Sequence, residues 1–103
     1  MAESRGALTE AAYYILLSLF EARHGYSIMQ FVEQISAGRV TLGAGTLYGA
    51  LSTLVERGLI YEVAAYDRKK EYLITDAGKA AVRTEMRRLA ELLTNGRQIA
   101  GEP

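Results

Sequence analysis

The chain has 103 residues, 50% of them apolar, with twelve basic and twelve acidic side chains, one proline and no cysteine. That length suits one domain with its own core, and the apolar content argues against a disordered chain. Without cysteine, disulfides and thiolate metal sites are excluded, and the balanced charge confines any nucleic-acid surface to a local patch.

Thr9 has the character of an N-cap, with Glu10 in the first turn where the helix dipole favours an anion. The first helix is expected over about Glu10–Ala22. Its apolar residues, Tyr13, Tyr14, Ile15, Leu16, Leu17, Leu19 and Phe20, lie nearly all round it, which requires burial on every face. In so small a domain one face is expected on the core and another on a second subunit. The run Ala11–Phe20 is far short of the roughly 20 residues that span a bilayer. It lacks the basic start and cleavage pattern of a signal peptide, so a cytoplasmic protein with no membrane partner is expected.

His24-Gly25 breaks the helix. A second helix follows over about Tyr26–Ile35, with Ile28, Met29, Val32 and Ile35 at helical spacing, and Ser36-Ala37-Gly38 ends it. Arg39–Leu42 alternates and reads as a short strand. The third helix starts near Gly45 or Thr46. Leu47, Leu51, Leu54 and Val55 share one face by the 3.6-residue period. The other face carries Gly49, Ser52, Thr53 and Glu56, with Thr46 and Tyr48 at its edges. Gly58 suits a left-handed helix stop. Two strands, Tyr61–Val63 and Glu71–Thr75, flank the charged turn Tyr66–Lys70. Thr75 reads as the N-cap of a last helix from Asp76 to about Thr94, stopped by Asn95-Gly96. Val82, Met86, Leu89 and Leu93 repeat along it as a narrow heptad-like seam.

Helix, strand, basic turn, strand is the order of a winged helix-turn-helix. The small residues of the third helix would let it enter a major groove about 12 Å wide. Hydroxyls of Thr46, Tyr48, Ser52 and Thr53 can meet phosphates or base edges. That face has no Asn or Gln, and its one basic residue is Arg57 at the far end, so base readout is thin. Charge for phosphate must come from the turn Arg68-Lys69-Lys70. No chemistry of an enzyme stands out. His24 is the one histidine, beside a helix break, and it is read as a helix-end residue. Gly43-Ala44-Gly45 opens like a dinucleotide fingerprint but has Tyr48 where the third glycine belongs, outside any βαβ unit. No paired carboxylates occupy an apolar setting. No cofactor or metal is expected.

At Tyr14–Leu19, His24-Gly25-Tyr26, Gly45–Leu54, Gly58-Leu59-Ile60 and Arg68–Gly78 the sequence resembles the PadR family of bacterial transcriptional regulators, over about residues 7–96. The resemblance implies a dimeric winged-helix repressor whose C-terminal helix mediates dimerisation. It also implies that Tyr26, Thr46, Tyr48, Arg68, Lys69 and Lys70 touch DNA. A single C-terminal helix would place the chain in a short subclass. Some family members bind flat aromatic ligands at the dimer interface, and Tyr13, Tyr14 and Phe20 are the aromatic candidates for such an effector pocket here.

The fold expected is mainly α with a small two- or three-stranded β-wing. A winged helix-turn-helix domain would occupy residues 1–75, a C-terminal dimerisation helix 76–96 and a disordered tail 97–103. The function expected is a sequence-specific DNA-binding transcriptional regulator, a homodimeric repressor released by a small aromatic effector. Double-stranded DNA would meet Tyr26, Thr46, Tyr48, Gly49, Ser52, Thr53, Arg68, Lys69 and Lys70. The second subunit would meet Tyr13, Leu16, Phe20, Val82, Met86, Leu89 and Leu93. The rival reading, supported by the neutral charge, is a winged-helix protein-interaction module that does not bind DNA.

Overall fold

The computed structural model describes residues 7–63 and 69–103. Among them the chain runs α1 (Glu10–Ser18), β1 (Arg23–His24), α2 (Gly25–Ile35), α3 (Ala44–Glu56), β2 (Ile60–Val63), β3 (Glu71–Ile74) and α4 (Asp76–Ala100). The strands form an antiparallel sheet in the order β1-β3-β2. Arg23 faces Tyr72 in one ladder, while Ile60 faces Ile74 and Glu62 faces Tyr72 in the other. The protein is thus mainly helical with a small three-stranded wing sheet, as the sequence suggests.

Capping fixes most of the helix ends. The Thr9 hydroxyl accepts from the Ala12 amide at 3.0 Å. His24 plays the same part for α2, its Nδ1 accepting from the Ser27 amide at 3.4 Å. Thr75 does two things at once: its oxygen accepts from the Gly78 amide at 3.0 Å, and its hydroxyl donates to the Gly58 carbonyl at 2.7 Å. Gly58 has φ +75°, and the Gly58 and Leu59 amides bond back to the Val55 and Leu54 carbonyls. This left-handed stop closes α3 and sends Leu59 into the core.

The core is built from Leu8, Ile15, Leu16, Leu19, Ile28, Val32, Leu42, Leu47, Leu51, Leu54, Leu59, Ile60, Tyr72, Ile74 and Val82. Helix α1 is its centre, packed against both α2 and α4. The domain therefore covers most of the apolar surface of α1 by itself. Leu16 is fully buried inside the subunit and is not available to a second one, contrary to the sequence expectation. The same correction applies to Val82, which is buried against the core.

Other expectations also change. Helix α1 ends at Ser18, not Ala22, because the chain must turn to lay Arg23 and His24 against β3. The third strand is this two-residue β1, while residues 39–42 form no strand. Val55, expected on the core face of α3, is 40% exposed. Helix α4 does not stop at Asn95-Gly96 but continues to Ala100, so most of the expected disordered tail 97–103 is helical. A glycine within a helix costs only about 1 kcal/mol, and no left-handed residue interrupts the run until Gly101 at φ +83°.

Helix α4 has 25 residues, hence a length of roughly 37 Å. Its buried positions are Gly78, Val82 and Glu85, all in the first three turns. Beyond Arg88 every residue is exposed, and the helix projects as an arm. The 15.1 Å radius of gyration reflects this, against about 13 Å for a compact chain of similar length. Gly78 lets the arm join the domain closely. A Cβ there would overlap the Leu59 carbonyl oxygen and come within 2.5 Å of Ile74 Cγ1.

Candidate nucleic-acid interface

Helix α3 buries Leu47, Leu51 and Leu54 and turns Thr46, Gly49, Ser52 and Thr53 to solvent. A Cβ added at Gly45 or Gly49 would meet nothing within 4 Å, so the backbone of this face is open to close approach. The Thr53 hydroxyl donates back to the Gly49 carbonyl at 3.2 Å, which leaves it chiefly an acceptor toward solvent.

Tyr26, at the start of α2, is 63% exposed, and Tyr48, on α3, is 50% exposed. The two helices approach each other through Gly25. A Cβ at that position would overlap the Tyr48 hydroxyl oxygen and lie 2.9 Å from its Cζ. His24, Gly25, Tyr26, Tyr48, Lys69 and Lys70 together line an open concavity of about 540 Å³. Four of the sequence-derived DNA residues therefore meet at one place: two phenols and two ammonium groups. Thr46, Gly49, Ser52 and Thr53 continue that surface along α3. Arg68 lies outside the described residues.

His24 and Gly25 were not among the site residues expected from sequence. The His-Gly-Tyr triplet was visible there, but its packing against Tyr48 was not. A second concavity, about 240 Å³, lies on the other side of Lys70 and is lined by Leu51, Ser52, Val55, Glu56, Glu62, Lys70 and Tyr72. Glu62 Oε1 is 3.9 Å from Lys70 Nζ. The buried Tyr72 hydroxyl is pushed above its ordinary range by burial first, then by the Glu62 carboxylate and Tyr48. Glu56 was placed on the outer face of the third helix by its period, whereas the position of Glu62 beside it was not legible, since sequence alone does not place β2 under α3.

The residues expected at the dimer contact divide. Leu16 and Val82 are internal. Met86, Leu89 and Leu93 are exposed along the arm, joined by Leu92, while Tyr13 is half-buried on α1. Phe20 is exposed at the end of α1 with Lys79 Nζ 5.8 Å from its ring centroid. The aromatic pocket divides similarly. Tyr13 and Tyr14, edge to face at 6.2 Å, line a cleft of about 300 Å³ with Leu8, Glu10, Glu85, Arg88 and Leu89. Phe20 does not line it. Buried Glu85 accepts from the Leu8 amide at 3.3 Å and from Arg88 Nε at 3.1 Å, tying the start of the chain to α4. The Arg88 guanidinium holds its carboxyl below the usual carboxylate range; burial opposes this, and the Leu8 amide adds to it.

Among the described residues no helix is long and apolar enough to cross a membrane, and no group of three or more His, Asp or Glu is placed to hold a metal ion.

The profile of the "Transcriptional regulator PadR-like family" matches residues 15–84, more than half of the chain. The chain belongs to the PadR-like family. A 37.1 kDa protein of transposon TN4556 from Streptomyces fradiae is 36% identical over 69 residues, 67% of this chain. The PadR-like chain spans about a fifth of that relative's length, 19%. Among solved structures, RosR of H. salinarum matches with a TM-score of 0.70 at 30% identity, covering 84% of this chain and 77% of that one. A transcriptional regulator from Clostridium thermocellum matches with a TM-score of 0.78 over 96% of this chain and 95% of that one, at 20% identity, a likeness of fold. The site described above thus sits on the winged-helix scaffold of a family of transcription regulators.

Proposed function

We propose that this protein represses transcription as a homodimer bound to double-stranded DNA, and that a small aromatic molecule releases it. The observation that carries this reading is the meeting of Tyr26, Tyr48, Lys69 and Lys70 around one concavity beside the open face of α3. Helix α3 enters the major groove with Thr46, Gly49, Ser52 and Thr53 forward, and its two uncluttered glycines allow backbone-close contact. The two lysines, with Arg68, contact phosphate and release counterions. With no amide or guanidinium on the centre of that face, sequence discrimination relies on hydroxyls, apolar contact and DNA shape.

The arm supports the dimer. Met86, Leu89, Leu92 and Leu93 are large apolar side chains left exposed by their own domain. A two-fold pair of arms would cover them and set two α3 helices on half-sites about one DNA turn apart, roughly 34–36 Å. The Tyr13–Tyr14 cleft between α1 and α4 is at the small end of ligand pockets, which run from about 300 Å³. Its wall includes Leu89 of the exposed seam, so an aromatic occupant there would tilt α4 and alter the spacing of the two heads.

A mobility-shift titration tests the central part. Duplex from upstream of the protein's own gene should bind more tightly than random duplex of equal length at moderate salt, and the Lys69→Ala/Lys70→Ala variant should bind both less tightly. Equal affinity for the two duplexes refutes sequence-specific regulation. No binding to either, with capture of a partner protein by the α3 face, favours the interaction-module reading.

A further inference from the structure

The two concavities that share Lys70 have opposite electrostatic character. On the Tyr26–Tyr48 side the charged lining is Lys69 and Lys70. On the side between α3 and β2 it is Glu56, Glu62 and Lys70, two carboxylates to one ammonium. Glu62 faces Tyr72 across the ladder, and Tyr72 is buried, so Glu62 projects from the sheet toward α3. Its carboxylate is 3.9 Å from Lys70 Nζ, and both side chains are at least half exposed. A duplex seated on α3 and the turn before β3 would bring phosphates past this junction. A carboxylate there repels phosphate and competes with it for the same ammonium.

We propose that Glu62 acts as a brake on DNA binding through Lys70. This rests on the DNA-binding reading above. On non-specific duplex, Lys70 stays with Glu62 and contributes little. On the correct site, α3 seats fully in the groove, a phosphate is held close to Lys70, and the ammonium leaves Glu62 for it. The loss of the Glu62 pair is then offset by the phosphate contact, and the net gain is smaller by the energy of that pair. In a chain with balanced charge, this arrangement lowers affinity for both kinds of DNA: on the operator by the cost of breaking the pair, and on arbitrary DNA by the weaker phosphate contact that Lys70 forgoes. The exposed pair can be exchanged at small cost, since such pairs contribute modestly to stability.

The test uses the full chain and measures affinity by fluorescence anisotropy across a salt series, on upstream duplex and on random duplex. Four proteins are compared: native, Glu62→Gln, Lys70→Ala and the double variant. Glutamine keeps the shape of the side chain and removes its charge. Glu62→Gln should tighten random-duplex binding by roughly two- to five-fold, the range of an exposed ion pair. It should steepen the salt slope by about 0.9, one phosphate contact. It should tighten upstream-duplex binding at least as much, but without steepening the slope there, because Lys70 already holds a phosphate on that duplex. In the Lys70→Ala background the same substitution should have little effect on the slope. An unchanged slope on random duplex in Glu62→Gln, or an equal effect with and without Lys70, overturns the brake while the native protein's own binding leaves the DNA reading standing. Failure of the native protein to bind either duplex overturns both.

Discussion

Gly78 is where the arm meets the wing, and replacing it by alanine has a cost that can be worked from the backbone around it. The new Cβ would overlap the Leu59 carbonyl oxygen and sit 2.5 Å from Ile74 Cγ1. An ordinary C···O contact is about 3.3–3.6 Å, so a relief movement of roughly 1 Å is required. Leu59 cannot move freely. Its carbonyl accepts from the Thr75 amide at 3.0 Å, its own amide donates to the Leu54 carbonyl at 3.0 Å, and β2 begins at the next residue. Overpacking of this kind costs about 1–3 kcal/mol. Alanine's better helix propensity returns less than about 1 kcal/mol in the first turn. The net loss is about 1–2 kcal/mol, which lowers Tm by on the order of 4–16 °C in a domain of this size. Gly49→Ala is the control. Its Cβ meets nothing within 4 Å on the exposed face of α3, so it should gain about 1 kcal/mol and several degrees. Thermal unfolding followed by circular dichroism, with native protein alongside, reads both. A Tm for Gly78→Ala equal to or above native would refute the close approach of α4 to Leu59.

Three other outcomes are expected. Ala37 closes α2 in the left-handed region at φ +53°, with its amide bonded to the Gln34 carbonyl and that of Gly38 to Glu33; Ala37→Gly should stabilise the chain by about 0.5–1 kcal/mol, seen as a raised denaturation midpoint. The Glu85 carboxyl is depressed below its ordinary 4.5 in the fold, so it favours folding above that value and its contribution is lost as pH falls through the lower folded value; Glu85→Gln should be less stable than native at neutral pH and show a shallower loss on acidification below about pH 4.5, measured as Tm against pH. Leu89→Glu/Leu93→Glu places charge on the exposed seam of the arm; light scattering should show the native protein at twice the chain mass and the variant at the chain mass with its melting curve retained, and an unchanged mass would remove the arm from the dimer contact.

Much of the fold was legible because local chemistry and tertiary packing agree. Thr9 and Thr75 cap helices, Gly58 stops one, and Leu47, Leu51 and Leu54 carry the period of the buried face of α3. What was not legible depends on pairing across distance. Two residues, Arg23 and His24, have no strand pattern of their own and become a strand only against β3. For the same reason the apolar character of Leu16 and Val82 could not tell a core position from a subunit contact. The end of α4 was misjudged because Asn95-Gly96 is a local stop signal that the helix can absorb. At the candidate interface, Tyr26, Tyr48 and the lysines came from motif and order. Gly25 and Glu62 emerged only once α2, α3 and β2 were seen to converge.

The central claim is that DNA sits on the surface where Tyr26, Tyr48, Lys69 and Lys70 meet. Amide chemical-shift mapping of the labelled protein during titration with upstream duplex tests it most directly. The largest shifts should cluster at residues 24–27, 44–53 and 69–71, with the exposed half of α4 little changed. Large shifts confined to α4 or to the Tyr13–Tyr14 cleft, with those three segments unmoved, would contradict it.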